Sequence, residues 1–450
     1  MQAKRVSRRS FLGAAAIGVA GAGLAACVPA APGEESADAM SEDITITYSF
    51  PIPEADYLGA TQKALAEQHD FRVPDTNVVV DMQLGVASEA VDLAMSAGDP
   101  PDVFWHRYQQ STIDAINEGL YENAQDLMEA DGISLDIYAD GPRAAYSPAV
   151  VGNRMWAFPY EVVIHLWAYN PVLFDEAGVE PPDKNWTWTD ALEIGVQMTW
   201  DKEGRHPNED GFDVNEVDVW GMGPWFYFGG EEHYPRIAGG EYTNEDFSEI
   251  TITGAPFVQT IDWFRELFNT PIAIEARPEK GLQTGRIAIY ETGNWALLGL
   301  KQDMEELGAV YPPTHPDTNL MSTVLPDKEL WIPKKEGGAQ LDAAYKFAKW
   351  WSHDMYIEYA LATGYIPYLK KDLEDPRWLE LIANNPFMQV AEEMTQYGRA
   401  RFWSLFPGAF EAWPVMHEMW SAISATDTPA EQLLEDAQTE CQRIMDKYRA

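Results

Sequence analysis

The sequence predicts an α/β protein built from two lobes, and three observations carry that expectation. Length is the first: roughly 400 residues follow an N-terminal segment of export character, more than one hydrophobic core usually fills. The second is an alternation of short β-branched runs with amphipathic stretches, which implies mostly parallel sheets with ligand crevices at the carboxyl ends of their strands. The third is composition: 46% of the chain is apolar, and 17 Trp, 20 Tyr and 18 Phe supply more rings than such a core requires.

The opening stretch "SRRSFLGAAAIGVAGAGLAAC" (7–27) is too short and too glycine-rich for a spanning helix, which needs about 20 apolar residues. Lys4, Arg5, Arg8 and Arg9 form a charged region, Phe11 to Gly23 a mild apolar core, and Leu24-Ala25-Ala26 the approach to a cut. The twin arginines followed by Phe11 and Leu12 resemble a twin-arginine export signal. "LAAC" resembles a lipoprotein box in which Cys27 becomes the lipid-bearing first residue, the alternative being an ordinary cleaved signal with an accidental cysteine. The other cysteine, Cys441, follows helical apolar spacing and is expected as a buried small group. "VPAAPGEESADAMSED" (28–43) has no periodicity and is expected as a solvated tether.

Strands are expected at 44–50, 77–85, 102–105, 155–160, 165–170, 217–223 and 286–291. Between them, Thr187 with Asp190 signals a helix start, Thr253 precedes another, and Thr428, Pro429 and Glu431 resemble a capping box for the last helix.

Several function classes are disfavoured. Against 31 Lys and Arg stand 72 Asp and Glu, a formal charge of −41, which repels phosphate backbones and argues against nucleic-acid binding. The eight histidines form no His-x-x-x-His and have no cysteine pair beside them, so no metal site is expected. "NEDGFD" (208–213) has the wrong frame for a calcium loop. No nucleophile elbow, phosphate loop or dinucleotide fingerprint appears, and no cofactor is expected.

Six stretches, in order along most of the chain, carry a resemblance: "SAGDPPDVFW" (96–105), "GLYENAQDL" (119–127), "YNPVLFDEAGVEPPDKNWTWTDAL" (169–192), "GRIAIYETGNWAL" (285–297), "ELWIPKKEGGAQLDAAYKFAKWWS" (329–352) and "ATGYIPYLKKDLEDPRW" (362–378). Together they resemble the sugar-type (family 1) extracellular solute-binding proteins, the capture components of ATP-driven importers. Residues before Tyr169-Asn170 depart from the family's signature.

The resemblance implies a two-lobed periplasmic-binding-protein (Venus-flytrap) fold with discontinuous lobes, 44–160 plus 294–357 and 161–293 plus 358–450. Its crossovers would fall near Tyr160 to Val162, Glu291 to Asn294 and Tyr356 to Leu361. It further implies a monomer that binds a carbohydrate without reaction, hands it to an ABC permease and is held to the membrane by lipid on Cys27. Sugars present flat C–H faces and a rim of hydroxyls, so their sites combine aromatic rings with polar side chains. Positions matching the family's cleft are Trp105, His106, Tyr160, Glu161, Trp225, Asn294, Trp295 and Tyr365, with either Trp403 or Trp413 adding a ring. The alternatives are a secreted carbohydrate-active hydrolase with two catalytic carboxylates, the same fold caging a polyamine, and a purely structural surface lipoprotein.

Overall fold

A computed structural model describes residues 42–106, 110–225, 231–274, 280–325, 328–335, 338–399 and 401–449, without the side chains at 110, 111, 149, 231, 324 and 403. The export signal, Cys27 and nearly all of the tether lie outside the described residues, so those expectations stand on sequence alone. Among the described residues no helix is long and apolar enough to cross a membrane.

Twelve strands are described: β1 (Ile44–Phe50), β2 (Val78–Leu84), β3 (Val103–His106), β4 (Phe158–Glu161), β5 (His165–Tyr169), β6 (Trp200–Asp201), β7 (Val217–Gly223), β8 (Ile287–Gly293), β9 (Gly308–Val310), β10 (Thr323–Val324), β11 (Lys328–Trp331) and β12 (Gly398–Arg399). They form one sheet ordered β2-β1-β3-β11-β4, a second ordered β6-β7-β8-β5-β9, and a ribbon of β10 with β12. The expected strands therefore recur with small shifts. Thr187 and Asp190 make the expected reciprocal cap of helix Trp188–Gln197. The last helix begins at Ala430, while the Thr428 hydroxyl meets that of Thr426 at 3.2 Å. Cys441 is buried as expected, and burial pushes its thiol up to about 12.

The sheets correct one expectation, because they are mixed rather than mostly parallel. In the first, β1 runs parallel to β2 and β3, but β11 is antiparallel to both β3 and β4. In the second, β7 and β8 are parallel, whereas β5 opposes β8 and β9, and β6 opposes β7. Parallel neighbours need a helical crossover within their own sheet. β5 arrives from the first sheet after only three residues, Val162 to Ile164, with no such crossover, and it pairs antiparallel.

Strand pairing also shifts the expected lobe limits. Residues 294–357 were expected beside the first sheet, yet β9 pairs with β5 in the second, so the return to the first sheet lies between β9 and β11. Likewise, helix Tyr356–Thr363 packs on helix Tyr57–Glu67, and Leu369 bridges to Tyr138, which keeps this later stretch on the side of the first sheet. Helix Pro386–Met394 packs on β9 and β5. Short connecting strands such as β9 and β11 carry little periodicity, and their partners come from remote sequence.

Candidate functional site

The passage from β4 to β5 is one place where the chain crosses between the two sheets. Val162, Val163 and Ile164 are buried, so their backbone groups need partners from within the protein. Asn294, at the start of helix Asn294–Asp303, supplies them. Its Oδ1 accepts from the Ile164 amide at 2.8 Å, and its Nδ2 donates to the carbonyls of Val162 at 2.9 Å and Gly364 at 3.4 Å. Both amide donors are thus spent on backbone, and Asn294, expected to touch ligand, instead ties together three remote segments. Thr323 adds a fourth by accepting from the His165 amide at 3.0 Å.

On the side of the first sheet, a buried polar and aromatic cluster surrounds Glu161. The Tyr359 hydroxyl donates to Glu161 Oε1 at 2.8 Å, and Lys328 Nζ lies 3.0 Å from Oε2. Tyr160 and Tyr365 stack on the two sides of Tyr359, with centroids 5.3 and 5.7 Å away. Trp351 donates to Gln62 Oε1 at 3.1 Å, and Gln62 in turn donates to the Tyr160 hydroxyl. Burial, reinforced by the Glu161 charge, pushes the hydroxyls of Tyr160, Tyr359 and Tyr365 well above the ordinary tyrosine range, so they stay protonated donors. Trp105, the last residue but one of β3, lies beside this cluster, its ring edge-on to Phe50 and under the Lys328 ammonium at 5.4 Å. At 6% exposure Trp105 is a packed ring rather than an open platform.

The side of the second sheet is arranged differently. Trp225 and Trp295 are both half-buried and meet edge to face at 5.3 Å. His165 lies 5.3 Å from the Trp225 ring and 5.6 Å from that of Trp295. Gly293 is what allows the Trp295 ring to fold back: a Cβ there would collide with the indole, which gives the Gly-x-Trp pattern its steric cause. Glu291, buried in β8, accepts from the Trp225 amide at 3.0 Å and the Tyr234 hydroxyl at 3.1 Å. Two imidazoles flank its other oxygen, His233 at 3.5 Å and His165 at 3.9 Å. Burial holds His233 down to about 3, with Arg236 and Arg401 adding to the effect, so its ring is neutral.

Tyr57 joins the two groups. Its hydroxyl donates to the Trp295 carbonyl at 2.7 Å, and burial, then the charges of Glu161 and Asp56, push it up to about 12.

The structure therefore brings Tyr160, Glu161, Tyr365 and Trp105 together, and Trp225 with Trp295. His106 departs from its group: strand alternation turns it to the opposite face from Trp105, where it lies edge-on to Phe104 and 3.5 Å from Asp92. Trp413 is half-buried on helix Ala409–Ala425 at 6.3 Å from His417, and the Trp403 side chain lies outside the described residues. Sequence reasoning missed Tyr57, Gln62, His165, His233, Glu291, Lys328 and Tyr359 as members of these candidate clusters. An acid at position 291 inside the buried run "IAIYETG" was the one local signal available.

Three solved structures resemble this chain closely in shape at low identity. An ABC substrate-binding protein of Listeria monocytogenes in complex with cycloalternan is 18% identical, with TM-score 0.72, covering 90% of this chain and 100% of that one. UgpB from Mycobacterium tuberculosis, in complex with glycerophosphocholine, is 19% identical, with TM-score 0.73 and coverage of 91% and 100%. The GacH receptor of Streptomyces glaucescens, solved unliganded and with acarbose, is 16% identical, with TM-score 0.71 and coverage of 91% and 100%. Such likeness establishes the two-lobed binding-protein fold. The family model described as bacterial extracellular solute-binding protein matches residues 60–386, well over half of the sequence. The chain belongs to the bacterial extracellular solute-binding protein family.

Proposed function

We propose that the protein captures a sugar or oligosaccharide outside the cytoplasm and presents it to an ABC transporter permease without altering it. The observation that carries this reading is the half-buried Trp225–Trp295 pair beside the buried Glu291, at the place where the chain passes between its sheets. Flat indole faces suit sugar C–H faces, and hydroxyls need acceptors and donors near by. The sugar ligands of structural neighbours such as the Listeria and Streptomyces proteins support the same cargo class.

In this reading the first lobe comprises 44–161 and 328–369, the second 165–310 and 370–449, with Val162 to Ile164 as one hinge strand. Ligand held by both lobes stabilises the closed form by its differential affinity, and a permease recognises that form. Trp295 and Trp225 stack on the cargo, Trp105, Tyr365 and Glu161 build the opposing wall, and Tyr160 and Asn294 position it. The monomeric body is carried on a lipid at Cys27, by way of the tether, after twin-arginine export.

Mass spectrometry of ligand retained through native purification, followed by calorimetry with sugar and polyamine panels, tests this function. A carbohydrate of submillimolar affinity is expected; binding of polyamines alone would overturn it. Incubation with oligosaccharides is expected to release no new reducing ends, and turnover would favour the hydrolase.

A further inference from the structure

The geometry points to Lys328 as the residue that sets the charge selectivity of the first half of the site, donating to ligand oxygens and turning ligand cations away. This rests on the proposed capture of a sugar and adds what kind of sugar surface the first lobe meets.

The register places Lys328 opposite Glu161, and the pairing of β11 with β4 shifts between Lys328 and Glu329. An irregularity of this kind re-aims a side chain locally. Here the ammonium comes to lie 3.0 Å from Glu161 Oε2, 5.4 Å over the Trp105 ring and 5.7 Å over the Tyr365 ring. Carboxylate and aromatic faces are the features that cage a ligand ammonium. In the first lobe the protein fills both with its own cation.

Exposure decides which member of the cluster meets an incoming molecule. Glu161 is 0% exposed, Tyr359 and Tyr365 1% and Trp105 6%, whereas the Lys328 side chain keeps 20%. An ammonium carries three donors and no acceptor. Its charge is paired with Glu161 Oε2 at 3.0 Å, and its donors remain for ligand hydroxyl, ring or carboxylate oxygens. A second cation brought to this place would meet like charge over rings already engaged. Neutral and acidic sugars are therefore admitted, and quaternary ammonium or polyamine ligands are refused.

Calorimetry on the full chain, comparing wild type, Lys328→Met and Lys328→Arg with maltotriose, glucuronate and choline, tests the assignment. Methionine keeps the stem and removes the charge. Expected results are at least tenfold weaker sugar binding by Lys328→Met, choline binding that appears in this variant alone, and retained selectivity in Lys328→Arg. Unchanged sugar affinity together with continued refusal of choline by Lys328→Met would overturn the role, as would choline binding by wild type. If Lys328→Met fails to fold because the Glu161 charge is stranded, the pair Lys328→Met with Glu161→Gln removes that charge and is read the same way. A wild type that binds neither sugar counts against the proposed cargo, while the choline arm still decides the role of Lys328.

Discussion

Two buried carboxylates, Glu161 on the edge strand β4 of the first sheet and Glu291 on the central strand β8 of the second, are handled in opposite ways. Glu161 is met by a lysine ammonium and a tyrosine hydroxyl inside a stack of rings, and its neighbour Trp105 is packed to 6% exposure. Glu291 is met by a backbone amide and a tyrosine hydroxyl, and the indoles beside it, Trp225 and Trp295, remain half-buried. A cation held among aromatic faces closes them to other partners, whereas a carboxylate satisfied through the backbone leaves neighbouring rings available. In the proposed reading the first half is thereby a support with one charged outlet, and the second half is the contact surface.

The sharpest way to break this contrast is to truncate one indole on each side. Trp105→Ala is expected to destabilise the empty protein by about 3 kcal/mol or more, as loss of a packed ring does. Trp295→Ala is expected to lower sugar affinity at least tenfold, or about 1.4 kcal/mol, while the melting temperature of the empty protein hardly moves. Calorimetric affinity and urea midpoints for both variants decide the matter. Equal stability losses would mean that Trp295 is core as much as Trp105.

The carboxylates themselves give the next effect in size. Glu161→Gln removes the partner of a mostly buried ammonium and is expected to cost about 2 to 3 kcal/mol, somewhat below a fully buried pair because Lys328 keeps some water. Glu291→Gln retains an oxygen that can accept from the Trp225 amide and Tyr234, so about 1 kcal/mol is expected. Chemical denaturation that ranked them the other way would reverse the assignment of support and surface.

What the sequence disclosed follows from the range of the interactions. Strands such as β1 and β7 were legible because alternation and β-branched residues are local signals, and the Thr187–Asp190 cap spans only three residues. The order of motifs pointed to the fold and to Trp295, whose need for Gly293 is again local. Glu161, by contrast, depends on Lys328 and Tyr359, and Tyr160 on Gln62, all far away in the chain and without a shared pattern. His106 was named with Trp105 because both match the family's cleft positions, although adjacent residues of a strand face opposite ways. The lobe limits slipped for a related reason, since β9 and β11 are too short to show a period.

Acid should affect both halves alike, which provides a control for the contrast. Burial holds His233, beside Glu291, down to about 3, and it does the same to His353, which shares a 2.6 Å hydrogen bond with the Tyr138 hydroxyl near the first sheet. Between that value and the ordinary histidine range near 6.5 the unfolded chain binds protons that the folded chain does not. Stability is therefore full above about 6.5 and falls as pH drops toward 3, by roughly 1 kcal/mol per pH unit for each ring. Histidine ring signals followed by NMR are expected to show neither residue titrating between pH 5 and 8. Titration of His233 alone in that range would mean that the Glu291 half binds a proton and is not matched to its counterpart.

The smallest expected effect concerns the link between the halves. Tyr57 stands on the helix that packs beside the first-sheet cluster, yet its hydroxyl bonds the carbonyl of Trp295, the ring on which the proposed contact surface depends. The side chain is 48% exposed, so water can replace the lost donor in Tyr57→Phe, and a stability change below about 1 kcal/mol is expected. If the first half merely supports the second, removing this bond should weaken sugar affinity only two- to fivefold, well short of the loss in Trp295→Ala, with the dissociation rate rising and the association rate unchanged. The rates separate a contact made in the closed form from one that shapes the open form, because only the former slows escape without affecting entry. A loss as large as that of Trp295→Ala would place the control of the indole in the first half, and the division between support and surface would have to be redrawn along Tyr57.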